Sequence, residues 1–102
     1  EYSKELSLEI FRLGCDKINF KILKMALNRP ISIKDIKNEF SLTSMPANRR
    51  INQLVKVGLI KREYKKTKII STKLTQIFIK VIDYIQNVIV KEIDVKTQIV
   101  FK

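Results

Sequence analysis

Between Ser44 and Lys73 stand nine basic side chains: Arg49, Arg50, Lys56, Lys61, Arg62, Lys65, Lys66, Lys68 and Lys73. Glu63 alone opposes them, a net charge of +8 in 30 residues, while the remaining 72 residues carry only +3. Ammonium and guanidinium groups at this density hold phosphate and release the counterions condensed on a polyanion. Asn48, Asn52 and Gln53 stand among them. A side-chain amide can bond adenine bidentately, and a guanidinium such as that of Arg49 can bond guanine. The alternative reading of the same residues is a solvated basic face, with the later lysines protecting a strand edge. The parts of covalent catalysis are missing. The chain has no His and one Cys, so neither a thiol–imidazole pair nor a common zinc site assembles. Asp16, Asp35, Glu39, Glu63 and Asp83 are scattered, and no glycine-rich phosphate loop is present. No catalytic residue, metal site or cofactor is expected, and the sequence does not read as an enzyme.

Composition sets the frame for that chemistry. At 102 residues and 12.0 kDa, with 45% hydrophobic and 30% charged residues, the sequence predicts one globular domain. Its net charge is +11. Ile and Lys supply 33 residues and Ala two, the signature of AT-rich coding. Part of the lysine excess is therefore compositional, and the clustering is what points to a polyanionic partner. No apolar run approaches the ~18 residues of a membrane span. A membrane-surface role fits poorly, because the basic block falls on a helix–hairpin unit and not along one amphipathic helix. No signal peptide opens the chain, and neither does an initiator Met, as in a piece trimmed from a longer protein. Cys15 reads as a buried or inert thiol, with a redox switch or intersubunit disulfide as the alternative. One Cys gives no disulfide framework, which predicts a cytoplasmic, intracellular protein.

The positioning elements follow from periodicity and punctuation. Leu6, Ile10 and Leu13 predict a helix over 1–13, stopped at Gly14 by a residue that tolerates positive φ. Asp16 suits the N-cap of a second helix. Ile18, Ile22, Met25 and Ala26 form its stripe, widened by Phe20, Leu23 and Leu27, and Asn28-Arg29-Pro30 ends it. Ile31 to Ile33 can pair as an edge strand, or Ser32 can cap a helix from Ile33 to Phe40. After the turn Ser41-Leu42-Thr43-Ser44, a helix runs from Met45 to Val57, capped by Thr43 or Ser44, with Pro46 tolerated in its first turn. Ala47, Ile51, Leu54 and Val55 share one of its faces. Asn48, Arg49, Asn52, Gln53 and Lys56 share the other. Gly58 is its stop. Leu59–Tyr64 and Lys68–Leu74 read as two strands joined by Lys65-Lys66-Thr67. Lys61 and Glu63 fall on one strand face, Arg62 and Tyr64 on the other. Thr75 caps a last helix to about Ile93, striped by Phe78, Val81, Ile85 and Val88, with Ile77, Ile82 and Ile89 beside them. That helix has more apolar surface than a monomer of this size covers. The stretch 94–102 is open between helix, strand and tail.

From Lys34 to Thr75 this order resembles the winged helix-turn-helix. Residues Ile33 to Phe40 resemble the positioning helix, and Ser41 to Ser44 its turn. Residues Met45 to Val57 resemble the recognition helix. Val57-Gly58-Leu59-Ile60-Lys61-Arg62 and Lys73-Leu74-Thr75 are similar to the stretches that open and close a wing. ArsR-like and MarR-like transcriptional regulators share the pattern, over about 60 residues of this chain. The departures are a short wing, Pro46 in the recognition helix and no His or Cys cluster, the last arguing against a metal sensor. The resemblance implies a mainly α fold with a small β-hairpin (α+β), with flanking N- and C-terminal helices. Its core would span about 16–75, with terminal helices 1–13 and 75–93 pairing two copies. It also implies double-stranded DNA as partner and homodimeric, sequence-specific transcription regulation. Ser44, Pro46, Asn48, Arg49, Arg50, Asn52, Gln53 and Lys56 would serve the major groove and its phosphates. Arg62, Lys65, Lys66 and Lys68 of a wing at 61–68 would serve the backbone or minor groove. Leu6, Ile10, Phe78, Val81, Ile85 and Val88 would form the dimer seam. The alternative is a winged-helix interaction, replication or segregation module of plasmid, virus or polymerase machinery.

Overall fold

The structure, a computed structural model, describes the backbone of residues 2–63 and 67–101 and the side chains of residues 3–63 and 67–95. Helix α1 spans Tyr2–Gly14, α2 Lys17–Asn28, α3 Ile33–Phe40 and α4 Ser44–Lys56. Strands β1 (Ile60–Glu63) and β2 (Lys68–Ser71) follow, and α5 (Lys73–Phe101) closes the chain. This is an α+β winged helix-turn-helix, as the sequence implies.

Capping chemistry sets most boundaries. Asp16 Oδ1 accepts from the N–H groups of Ile18 (3.1 Å) and Asn19 (3.0 Å), fixing the start of α2. Ser32 and Asp35 form a capping box: Ser32 Oγ accepts from Asp35 N–H, and the Asp35 carboxylate accepts from Ser32 N–H. Helix α3 therefore begins at once, and the expected edge strand shrinks to Ile31, which exchanges two backbone bonds with Ile69. Ser41 takes the left-handed conformation (φ 53°) that turns the chain from α3 toward α4. Gly58 (φ +84°) ends α4: its N–H donates to Val55 O and that of Leu59 to Leu54 O, a Schellman pair.

Two expectations shift. Thr75 is buried in the first turn of α5 and is not its cap. Thr72 holds that place, exchanging bonds with Thr75 in both directions, while the Thr75 hydroxyl donates to Leu59 O. Gly14 is helical and not a positive-φ stop. A Cβ there would lie 2.4 Å from the Phe78 ring, so its lack of a side chain is what lets α1 and α5 close.

The strands pair antiparallel in the register Ile60↔Ser71 to Glu63↔Lys68. The core draws on every element, with Ile22, Leu23, Ile36, Ile51, Leu54, Leu59, Ile60 and Ile69 fully buried. Phe78 sits beside Phe11 and Phe20, ring centroids 6.1 and 6.4 Å away. The first third of α5 joins this core. From Asp83 to Val95 every side chain is exposed, because the helix runs past the end of the body.

Candidate nucleic-acid interface

Helix α4 divides cleanly. Ala47, Ile51 and Leu54 are fully buried, while Ser44, Met45, Asn48, Arg49, Asn52, Gln53 and Lys56 line a shallow depression on the outer side. Three hydrogen bonds fix this face, two from neighbouring elements and one within the helix. Lys37 Nζ, from α3, donates to Ser44 Oγ at 2.9 Å and ties the two helices at the turn. Asn48 Nδ2 donates to the Ser44 carbonyl at 2.9 Å, one turn back. Arg62 Nη2, from β1, donates to Asn52 Oδ1 at 2.7 Å. A guanidinium has no acceptor, so the Asn52 amide must turn its oxygen to the wing and hold its NH2 outward. One N–H of the exposed Arg62 guanidinium thus joins wing to helix, and the group has four more.

Arg50 departs from expectation. It is half-buried and faces the body, its Nη1 2.7 Å from Asp16 Oδ1 and 3.1 Å from Asn19 Oδ1. The backbone N–H of Asn19, followed by the Arg50 charge, holds the Asp16 carboxyl below the usual carboxylate range. Pro46 is half-buried in the first turn, and Lys68 is half-buried opposite Glu63. Arg49, Lys56 and Lys61 are exposed. Lys65, Lys66 and Tyr64 lie outside the described residues.

Gln53 and Lys56 also border a second depression shared with Leu6, Glu9 and Arg12 of α1. Glu9 is paired with Arg12, whose hydrogen bond, with a smaller contribution from Lys56, holds that carboxyl below its ordinary value. A carboxylate neutralised by Arg12 therefore stands near the C-terminal end of α4, beside Lys56.

Sequence reasoning passed over Met45 and Lys37. Met45 is 76% exposed at the tip of the outer face, an apolar group held in solvent. Its signal was an apolar residue on an otherwise polar face. Lys37 has no signal short of the fold. Among the expected seam residues, Val81, Ile85 and Val88 are exposed, Leu6 and Ile10 are half-buried, and Phe78 is enclosed in the protomer's own core. Ile77, Val81, Phe11 and Ile10 border an apolar groove between α1 and α5. Of the two expectations for Cys15, buried or inert, burial does not hold, since the residue is exposed. Partial burial still pushes its thiol up, away from the reactive thiolate. Among the described residues no group of three His, Cys, Asp or Glu side chains is placed to hold a metal, and no helix is long and apolar enough to cross a membrane.

No protein-family model and no curated protein sequence matches this chain. Solved structures do. HlyU from Vibrio cholerae superposes with a TM-score of 0.67 at 14% identity, covering 83% of this chain and 96% of that one. The reduced form of the same protein gives 0.66 at 13%, covering 82% and 92%. A transcriptional regulator, HlyU from Vibrio vulnificus, gives 0.62 at 13%, covering 82% and 91%. The likeness extends over more than four-fifths of this chain and nine-tenths of each neighbour, and at 13–14% identity it is a likeness of fold.

Proposed function

We propose that this protein is a homodimeric transcription regulator, working inside the cell, that lays α4 in the major groove of double-stranded DNA and its wing along the backbone or minor groove. The observation that carries this reading is the division of α4, buried along Ala47, Ile51 and Leu54 and open along Ser44 to Lys56 beside a basic hairpin. A B-DNA major groove admits one helix, read mainly from its N-terminal residues. Arg49 meets guanine, while Asn48, Asn52 and Gln53 meet base edges and Met45 a thymine methyl. Lys56, Lys61, Lys65, Lys66 and Lys68 hold phosphate. That the Vibrio vulnificus structure is a transcriptional regulator supports the same task for this fold.

The exposed stripe Ile77, Val81, Ile85 and Val88, continuous with the groove against α1, is the surface for the second copy. Two-fold pairing there would set two α4 helices on half-sites about 34 Å apart.

Fluorescence anisotropy on duplexes recovered from random-site selection tests the reading. Affinity should fall steeply with salt, Arg49→Ala should relax base preference, and Lys66→Ala should weaken all sequences alike. Light scattering should give a dimer, and Ile85→Glu a monomer that binds DNA less tightly. Affinity that ignores both salt and Arg49→Ala places the working surface elsewhere. Co-purification of a protein partner without duplex binding favours the interaction-module alternative.

A further inference from the structure

Apolar burial along Ala47, Ile51 and Leu54 holds α4 against the body, but such contact has no direction and resists rolling weakly. A helix that reads base edges needs its roll fixed, because side chains misplaced by an ångström lose their partners. Arg50 supplies a directional link. Its Nη1 reaches back 34 positions in sequence to Asp16 Oδ1 and 31 to Asn19 Oδ1. Both acceptors are themselves held. Asp16 is fixed as the N-cap of α2 by two backbone N–H groups. Asn19 is 3% exposed, and its Nδ2 donates to the Leu13 carbonyl near the end of α1 at 2.9 Å. Arg50 only donates and a carbonyl only accepts, so the orientation of the Asn19 amide is forced from both sides. One polar chain thus joins the end of α1, the start of α2 and the middle of α4.

We infer that Arg50 is a positioning residue for DNA reading, and that Asp16, though acidic, supports the binding of a polyanion by holding Arg50 and with it the roll of α4. This rests on the reading proposed above and adds to it which residues set the geometry of the reading face.

The sign of one substitution separates this from charge effects alone. Asp16→Ser keeps a capping hydroxyl, is too short to reach the guanidinium and removes a negative charge. Through-space electrostatics predicts tighter DNA binding. Positioning predicts binding to the selected duplex about fivefold weaker, with a smaller loss on a scrambled duplex. Arg50→Ala should do the same while leaving the slope of log K against log salt unchanged, whereas a phosphate-contacting arginine would lower that slope by about one. The double variant should be no worse than Arg50→Ala, since both break the same link. Thermal unfolding shows whether each variant is folded at the assay temperature. Where Arg50→Ala is not, Asp16→Ser, which leaves Arg50 in place but removes its acceptor, carries the test of sign alone. Should wild-type protein fail to bind duplex, the proposed function fails and this inference with it. Should wild type bind while Asp16→Ser binds as well or better, or Arg50→Ala lower the salt slope, the inference alone is overturned.

Discussion

Gly14→Ala is the sharpest test of how the body is closed. In most helices this change stabilises, by about 1 kcal/mol, because Ala has the better helix propensity. Gly14 is the last residue of α1, so at most part of that gain is available. The new Cβ, however, would stand 2.4, 2.6 and 3.1 Å from three atoms of the Phe78 ring. All are below ordinary carbon–carbon contact, and the ring has little room to retreat, being 4% exposed and set beside Phe11 and Phe20. Overpacking of this kind costs about 1–3 kcal/mol. The clash outweighs the propensity gain, and the net expectation is a loss of about 1 kcal/mol, or a fall in Tm of roughly 4–8 °C for a domain of this size. Calorimetry or thermal circular dichroism on wild type, Gly14→Ala, Phe78→Leu and the double variant reads it. In the Phe78→Leu background, where the ring is gone, Gly14→Ala should turn neutral or stabilising. A rise in Tm for Gly14→Ala alone would refute the close-approach account of this glycine.

Other consequences can be checked on the same material. Ser41→Gly and Gly58→Ala should move stability in opposite directions. The first relieves a left-handed serine by about 0.5–1 kcal/mol and the second strains a φ of +84° by a similar amount, both read by chemical denaturation. Arg62→Ala should release the Asn52 amide and broaden base preference at one position in repeated random-site selection. Unchanged preference would show that the wing does not orient Asn52. With no His, duplex affinity should be flat from pH 6 to 8. Asp16 and Asp35 have carboxyl pKa values held below the ordinary range, so their stabilisation is present above the unfolded-state pKa and lost as pH falls through the folded one. Stability should therefore decline below about pH 4, and Asp16→Ser should soften that decline.

Much of the fold was legible because its boundaries are set locally. Asp16, Ser32 and Gly58 act through bonds to residues two to five positions away, and sequence shows such neighbours directly. What escaped depends on distant partners. Thr72 and Thr75 are both competent caps, and only the closeness of Leu59 and Gly58 decides between them. Arg50 reads as one more cation of the basic block. Yet it lies three residues after Ala47 and four before Leu54, both fully buried, so helical spacing already placed it at the edge of the inner face. Phe78 falls in register with the exposed Val81, Ile85 and Val88, but also four residues before the half-buried Ile82, and the core took it. Helix α5, at 29 residues, extends over about 43 Å at 1.5 Å per residue, roughly twice the length of α1, α2 or α4. Its second half has no body to lie on, and this is why the apolar excess noted in the sequence remains exposed.

The account turns on which surface touches DNA, and amide chemical shifts report that residue by residue. Uniformly 15N-labelled protein should be titrated with a selected duplex at moderate salt. The account predicts that the largest perturbations fall on Ser44–Lys56, on Lys37 at the turn and on Lys61–Lys68, while the Lys17, Lys21 and Lys24 side of α2 stays still. Perturbations centred on that side of α2, or on the exposed second half of α5, with α4 unmoved, would contradict it.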